Sequence, residues 1–551
     1  MTIARRELLG AAALGAILAD GAAAAPRQKQ GPEGVRVNTG VRCETASGSV
    51  AGFERGGVRI FLGLPYSATL TAAHRFGSPP PLAPWIGVRR AYNYGPTCPS
   101  EERQADESTS EWPFLLQRGP ITLASEDCLR VNVWAPEADA PARPVMVWLH
   151  AQGFGGGSSQ HFLATNGENL AREQDVVVVS LNHRTGVLGF ADVSGLAGGD
   201  PDAGNVGMLD IVAALRWVRE HIAAFGGDPG NVTLFGQSGG GFKISVLLGM
   251  PAARGLFHKA IIQSGARPFV HERASGRALA DAWIEALDIG KTPDLAALRA
   301  LPVSRLLDAA GKASAQIQRI AARPLDLHPP AWYWQPVAGV PSLPDQPFGT
   351  VPSEISRDIP LLVGTTRHEF PRSVDAPEAE AMTWDALTTS VARDLGERAG
   401  LAVTAARSDN PGASPVEVAA ILSGRHFRMG ALHIARLRAA ARHAPSWTYI
   451  FDWRTPLLEG RPRAYHGAEV PFIFANTDLC DQATGGGERP RRLARVMAGT
   501  WARFARTGSP VGRDLPVWRP FSPAAPSAMI FDDVCRIDPD PDPALRSLLL
   551  P

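Results

Sequence analysis

Three short runs of the chain, VMVWLH (145–150), VVVVSLNH (176–183) and VTLFGQS (232–238), are apolar at nearly every position. Such runs fit strands buried on both faces, as in a parallel sheet covered by helices, rather than the alternating pattern of a sheet with one wet face. Between the second and third lies GMLDIVAALRWVREHIAAF (207–225), whose apolar residues recur at helical spacing, so it is expected to be a crossover helix packed on the sheet. Further strands are expected at IPLLVGTT (359–366) and WTYIFDW (447–453). Two helix-rich stretches, about 275–320 and 384–442, interrupt the strand pattern. The pattern predicts one α/β domain over residues 35–551, a central, mostly parallel sheet flanked by helices, with those stretches as insertions.

The third strand stops at Gly236-Gln237-Ser238-Gly239-Gly240, and the chain then turns helical through KISVLLGMP. A strand, a GxSxG pentapeptide and a helix in that order form a nucleophile elbow. The serine sits on a strained turn that lifts its hydroxyl above the sheet edge, and the flanking glycines let strand and helix approach closely. A plain glycine-rich turn is the alternative, but it does not call for an acid and a base downstream. Both are present. Glu369 stands in Arg367-His368-Glu369-Phe370, just past a strand's carboxyl end, where open α/β sheets hold their reactive groups. His466 is delivered by the loop Tyr465-His466-Gly467-Ala468-Glu469 after the next strand. Among 13 histidines, His150, His161, His183 and His368 are the competing candidates for a base.

With these residues in place, the chain resembles the type-B carboxylesterase and lipase family, the cholinesterase-like branch of the α/β-hydrolases. The likeness runs through SEDCLRVNVWAP (125–136), WLHAQGF (148–154), residues 204–241, FHKAIIQSG (257–265), VGTTRHEF (363–370), YHGAEVPFIF (465–474) and WARFARTGSP (501–510). It implies an α/β-hydrolase fold, a gorge over the active site walled by the helical insertions, and hydrolysis of small-molecule carboxylic esters without a cofactor. Carried across by motif, Ser238 is the nucleophile, His466 the general base and Glu369 the acid that orients it. The oxyanion donors would be the backbone N–H groups of Gly239 and of Gln152 and Gly153 in the turn after PVMVWL. Lipase, amidase and transacylase variants of this chemistry stay open, as does a non-catalytic binding protein, because the same fold serves adhesion.

Several positions depart from the family pattern. His-Gly-Gly-Gly is usual where this chain has His150-Ala151-Gln152-Gly153, so Gln152 is expected to reach the site and tune substrate choice. Glutamate usually precedes the nucleophile; Gln237 removes that charge, which argues against a choline-ester specialist. Gly239 stands where alanine is commoner, a change expected to matter little because only its N–H is required. The acid motif ends in Phe370 rather than glycine. Ser264 resembles a serine that supports the acid, with an ordinary strand-end turn as the alternative.

Composition narrows the picture. With 55 basic and 54 acidic residues the formal charge is +1, which gives no electrostatic case for nucleic acid or an anionic membrane. Gly153-Phe154-Gly155-Gly156-Gly157-Ser158 follows a strand but lacks the lysine of a phosphate loop and the last glycine of a dinucleotide fingerprint, and no HExxH or CxxC suggests a metal. Residues 1–25 carry Arg5-Arg6, a mild apolar stretch and an alanine run, too short to span a membrane, and resemble a cleaved twin-arginine signal; a disordered tail is the alternative. The signal implies export to the periplasm or beyond, where disulfides form. Of five cysteines, Cys98 and Cys128 match a disulfide of the resembling family, whereas Cys43, Cys480 and Cys535 match no pairing motif.

Overall fold

The computed structural model describes residues 37–100, 110–137, 142–290, 293–320 and 327–550; the signal reading of 1–25 lies outside them. The strands are β1 (Val37–Thr45), β2 (Gly48–Arg55), β3 (Val58–Pro65), β4 (Val88–Arg90), β5 (Arg130–Pro136), β6 (Arg143–Leu149), β7 (Val177–Leu181), β8 (Gly227–Gln237), β9 (Lys259–Gln263), β10 (His271–Glu272), β11 (Val337–Ala338), β12 (Leu361–Thr366), β13 (Ser446–Phe451), β14 (Ala528–Phe531) and β15 (Arg536–Asp538). All but β10 and β11 join one sheet in the order β1, β2, β3, β5, β7, β6, β8, β9, β12, β13, β14, β15, with β4 beside β2. From β7 to β14 the pairings are parallel. The pairings among β1, β2, β3, β5 and β7 are antiparallel, as is that of β14 with β15, an arrangement that hydrophobic periodicity alone did not reveal.

The apolar runs are buried on both sides of the sheet. In β6, Val145, Val147 and Leu149 join one core layer while Met146 and Trp148 join the layer on the opposite face. The crossover helix forms over Val206–His221 and closes with a 3-10 turn at Ile222–Phe225. From β6 the chain runs to β7 on one side and to β8 on the other, so the strand order reverses there and a crevice opens at the carboxyl ends. Because β6, β8, β9, β12 and β13 are parallel, the segments that follow them emerge at one edge of the sheet. That common edge brings together the segments after residues 149, 237, 263, 366 and 451.

Helices occupy Arg273–Leu287, Leu295–Ala300 and Val303–Ile320, and again Trp384–Leu395, Ala399–Asp409, Pro415–Ser423 and Arg425–Ala440. They do not wall the main cavity. Its lining comes from residues 112–116, 148–165, 237–238, 370 and 465–480. From the last two of these helices, Phe427 packs against His466 and Ser423 accepts from the backbone N–H of Phe370 at the rim of the site. No helix among the described residues is long and apolar enough to cross a membrane.

Candidate active site

Ser238 lies between β8 and the helix Gly239–Leu247 with φ 55° and ψ −121°. A side-chain-bearing residue adopts that conformation at a cost of about 1–3 kcal/mol, so its surroundings must enforce it. They do: Ser238 N donates to Gln263 O at 2.8 Å, and Phe242 N donates to Ser238 O at 3.0 Å, starting the helix. A Cβ on Gly240 would collide with the carbonyl of Leu149, so the glycine lets the helix sit directly on β6.

Glu369 and His466 meet across 97 residues of chain. His466 Nδ1 is 2.5 Å from Glu369 Oε2, and the His466 backbone N–H donates to Glu369 O at 2.8 Å. A proton held between Nδ1 and the carboxylate leaves Nε2 as the basic nitrogen. The amino end of the helix Arg425–Ala440 approaches Glu369 so closely that a Cβ on Gly424 would overlap its side chain. This places the positive end of a helix against the carboxylate. Phe370 and Phe427 cover the imidazole, with ring centroids 4.7 and 5.1 Å away. Phe370, where the resembling family has glycine, therefore packs on the His466 imidazole.

His466 Nε2 is held by an unforeseen partner. Gln237 Nε2 lies 3.1 Å from His466 Nε2, and with Nδ1 protonated the carboxamide must be the donor. No hydrogen bond joins Ser238 Oγ to His466 in this state, although both line the same cavity. A hydrogen bond from Ser238 Oγ to His466 Nε2 would require the imidazole to exchange the Gln237 N–H for the hydroxyl.

The turn after β6 runs through Gln152 at φ 68° and Gly153 at φ 60°. A Cβ on Gly239 would collide with the backbone nitrogen and oxygen of Gly153. The amides of 153 and 239 are therefore neighbours, as a shared oxyanion requires, and alanine is not interchangeable with glycine at 239: the turn would have to move. The Gln152 side chain lines the cavity, its Nε2 2.7 Å from His161 Nε2.

The other candidates have different roles. His150 and His183 stack at 4.8 Å, and burial followed by the nearby Lys243 charge holds both well below the usual histidine range. His368 is buried and likewise depressed, first by desolvation. Ser264 donates its N–H to Gly364 O at 2.8 Å and accepts from Thr366 N at 3.1 Å, so it ties strand ends rather than touching Glu369. Cys98 and Cys128 are free, buried thiols that interact directly; the implied disulfide is not formed. Among the described residues no cluster of three His, Cys, Asp or Glu could hold a metal.

Sequence reasoning passed over Glu469. It is fully buried, and desolvation together with the charge of Glu369 pushes its carboxyl up to about 7. Gln263 donates to it at 3.4 Å and accepts from Trp501 Nε1 at 3.1 Å. Only its burial, which no local pattern announces, distinguishes it from a surface glutamate.

The cavity in front of Ser238 measures about 430 Å³. Trp112, Trp148, Phe162, Phe370 and Tyr465 supply aromatic walls, and among the described residues no Asp, Glu, Lys or Arg lines it.

The chain is similar to known proteins over nearly its whole length. The Carboxylesterase family model matches residues 39–537. The para-nitrobenzyl esterase of Bacillus subtilis is 33% identical over 516 residues, covering 92% of this chain and 98% of the relative. A phenmedipham hydrolase of Pseudarthrobacter oxydans is 35% identical over 505 residues, covering 89% and 94%. Among solved structures, an esterase of Clostridium hathewayi that hydrolyses aliphatic aromatic polyesters superposes with a TM-score of 0.76 at 30% identity, covering 94% of this chain and 99% of that one.

Proposed function

The chain belongs to the carboxylesterase family and is a serine hydrolase of carboxylic esters; from that premise we propose that Ser238, His466 and Glu369 are its nucleophile, general base and orienting acid. The supporting observation is the Glu369–His466 contact opening onto the same cavity as the strained Ser238. Ser238 Oγ attacks the acyl carbon while His466 Nε2 takes its proton, and the carbonyl π pair moves onto oxygen beside the N–H groups of Gln152, Gly153 and Gly239. The intermediate collapses, His466 gives the proton to the departing alcohol, and water repeats the sequence on the acyl-enzyme.

The substrate is a neutral ester with an apolar or aromatic group. The aromatic lining, which holds no Asp, Glu, Lys or Arg among the described residues, supports this, as do the para-nitrobenzyl ester and aromatic polyester named for relatives. Hydrolysis of p-nitrophenyl esters from acetate to laurate reads the acyl preference. Gln237→Glu tests the charge argument: a carboxylate beside the base is worth about 1.4 kcal/mol for a cation at this depth, roughly tenfold in kcat/KM for a choline ester over its neutral isostere. An unchanged ester ratio refutes the placement of Gln237 at the base.

Residues 1–25 act as a twin-arginine export signal. In the oxidising compartment Cys98 and Cys128, already side by side, join. The bridge closes a loop of about 30 residues and adds about 3–4 kcal/mol in the chain-entropy account. Thiol titration of the denatured, exported protein is expected to find three of the five cysteines free; five free thiols defeat the pairing.

A further inference from the structure

We propose that Lys243 is a positioning residue for the oxyanion turn, clamping its first carbonyl to the helix that carries the nucleophile. The inference rests on the reading of Gln152, Gly153 and Gly239 as oxyanion donors.

Lys243 lies in the helix Gly239–Leu247, five residues after Ser238, and is completely buried. Its ammonium donates to the backbone oxygen of His150 at 2.8 Å. His150 is the first residue after β6, and the turn it opens leads through Ala151 to Gln152 and Gly153. One short helix thus holds both sides of the oxyanion site: Gly239 at its first residue and the root of the opposing turn one helical turn later.

The clamp answers a need created by this chain's own turn. Gln152 occupies the left-handed region at φ 68°, where a side chain is disfavoured, so the backbone must be held by contacts on either side of it. Lys243 supplies one at the root of the turn. His150 Nδ1, 3.0 Å from Ala151 O, supplies a second, and the Gln152 carboxamide against His161 a third.

Charge gives the clamp a catalytic consequence. The groups facing Lys243 are His150 and His183, both held neutral by burial and by Lys243 itself; Asp210 is committed to Arg184 at 2.6 Å. Among the described residues no carboxylate offsets the ammonium, and desolvation alone pulls it down to about 7. Below that value Lys243 carries its charge in the resting site, and the oxyanion formed at the amino end of the same helix is the negative charge the ammonium lacks in the ground state. An interaction that strengthens only as that charge develops lowers the barrier without tightening substrate binding.

The test compares Lys243→Met with wild type, using paired trifluoromethyl and methyl ketones that differ in their readiness to form a hemiketal oxyanion on Ser238. The expected result is a loss of about 10²-fold in kcat and a parallel loss in trifluoromethyl ketone affinity, with KM and methyl ketone affinity within twofold. Lys243→Ser, which leaves room for water to bond His150 O without a charge, is read in the same way and replaces the methionine variant if that does not fold. Retained kcat and retained trifluoromethyl ketone affinity in either folded variant overturn the role of Lys243. Wild type checks the premise separately: a trifluoromethyl ketone that binds it no better than the methyl ketone overturns the oxyanion assignment instead.

Discussion

Ser238→Ala is expected to lower kcat/KM for p-nitrophenyl butyrate about 10⁵- to 10⁶-fold and to abolish fluorophosphonate labelling, with the cavity and the fold intact. Among the described residues no other hydroxyl stands on a strained turn between an aromatic cavity and an imidazole. The donors of the oxyanion turn remain, so a residue of catalysis over water persists. Ser238→Gly separates chemistry from strain. It loses activity to the same degree, but glycine adopts φ 55°, ψ −121° without the penalty of a side chain, so the variant is expected to gain about 1 kcal/mol of stability. A serine variant keeping more than a hundredth of wild-type activity would remove Ser238 from the reaction, and a glycine variant melting below the alanine one would show that the elbow is not strained.

Glu369→Gln is expected to cost about 10⁴-fold at neutral pH. The carboxylate accepts from His466 Nδ1 at 2.5 Å and so keeps the proton off Nε2. A carboxamide in its place can present N–H to Nδ1, which favours the opposite tautomer and leaves Nε2 protonated, unable to take the serine proton and set against the Gln237 N–H. Ring packing by Phe370 and Phe427 still holds the imidazole, so KM is expected to change little while kcat falls. Glu469→Gln is the matched control, since Glu469 is equally buried but bonds Gln263 rather than the base. Its loss is expected to stay below tenfold. If the two substitutions exchange magnitudes, the orienting acid is Glu469.

Much of this was legible along the chain. Ser238 was marked by a strand, five residues and a helix, all local, and its strained backbone follows from that sequence. Glu369 and His466 could be named because each follows a recognisable strand, even though the acid's neighbours, His368 and Phe370, differ from the family pattern. Other readings changed once distant segments met. Gly239 seemed replaceable by alanine because the amide alone was considered, yet the turn after β6 packs against its Cα. Ser264 resembled a support for the acid, but its hydroxyl is engaged by the backbone of Thr366. The helical stretches seemed suited to wall a gorge, whereas residues 112–116, 148–165 and 465–480 line the cavity.

The sequence by itself determined whatever depends on neighbours within a few residues: the apolar strands, the crossover helix, the elbow, and the order of serine, acid and histidine on successive strand ends. Hydrophobic period and turn stereochemistry operate at that range, so they can be read without knowing the fold. Only the tertiary structure decided which amide donates to His466 Nε2, which helix end faces Glu369, which carbonyl Lys243 holds and how much charge the cavity presents. Those are contacts between segments tens to hundreds of residues apart. They are set by parallel strands ending at one sheet edge and by the exclusion of water there, and neither leaves a periodic trace in the chain.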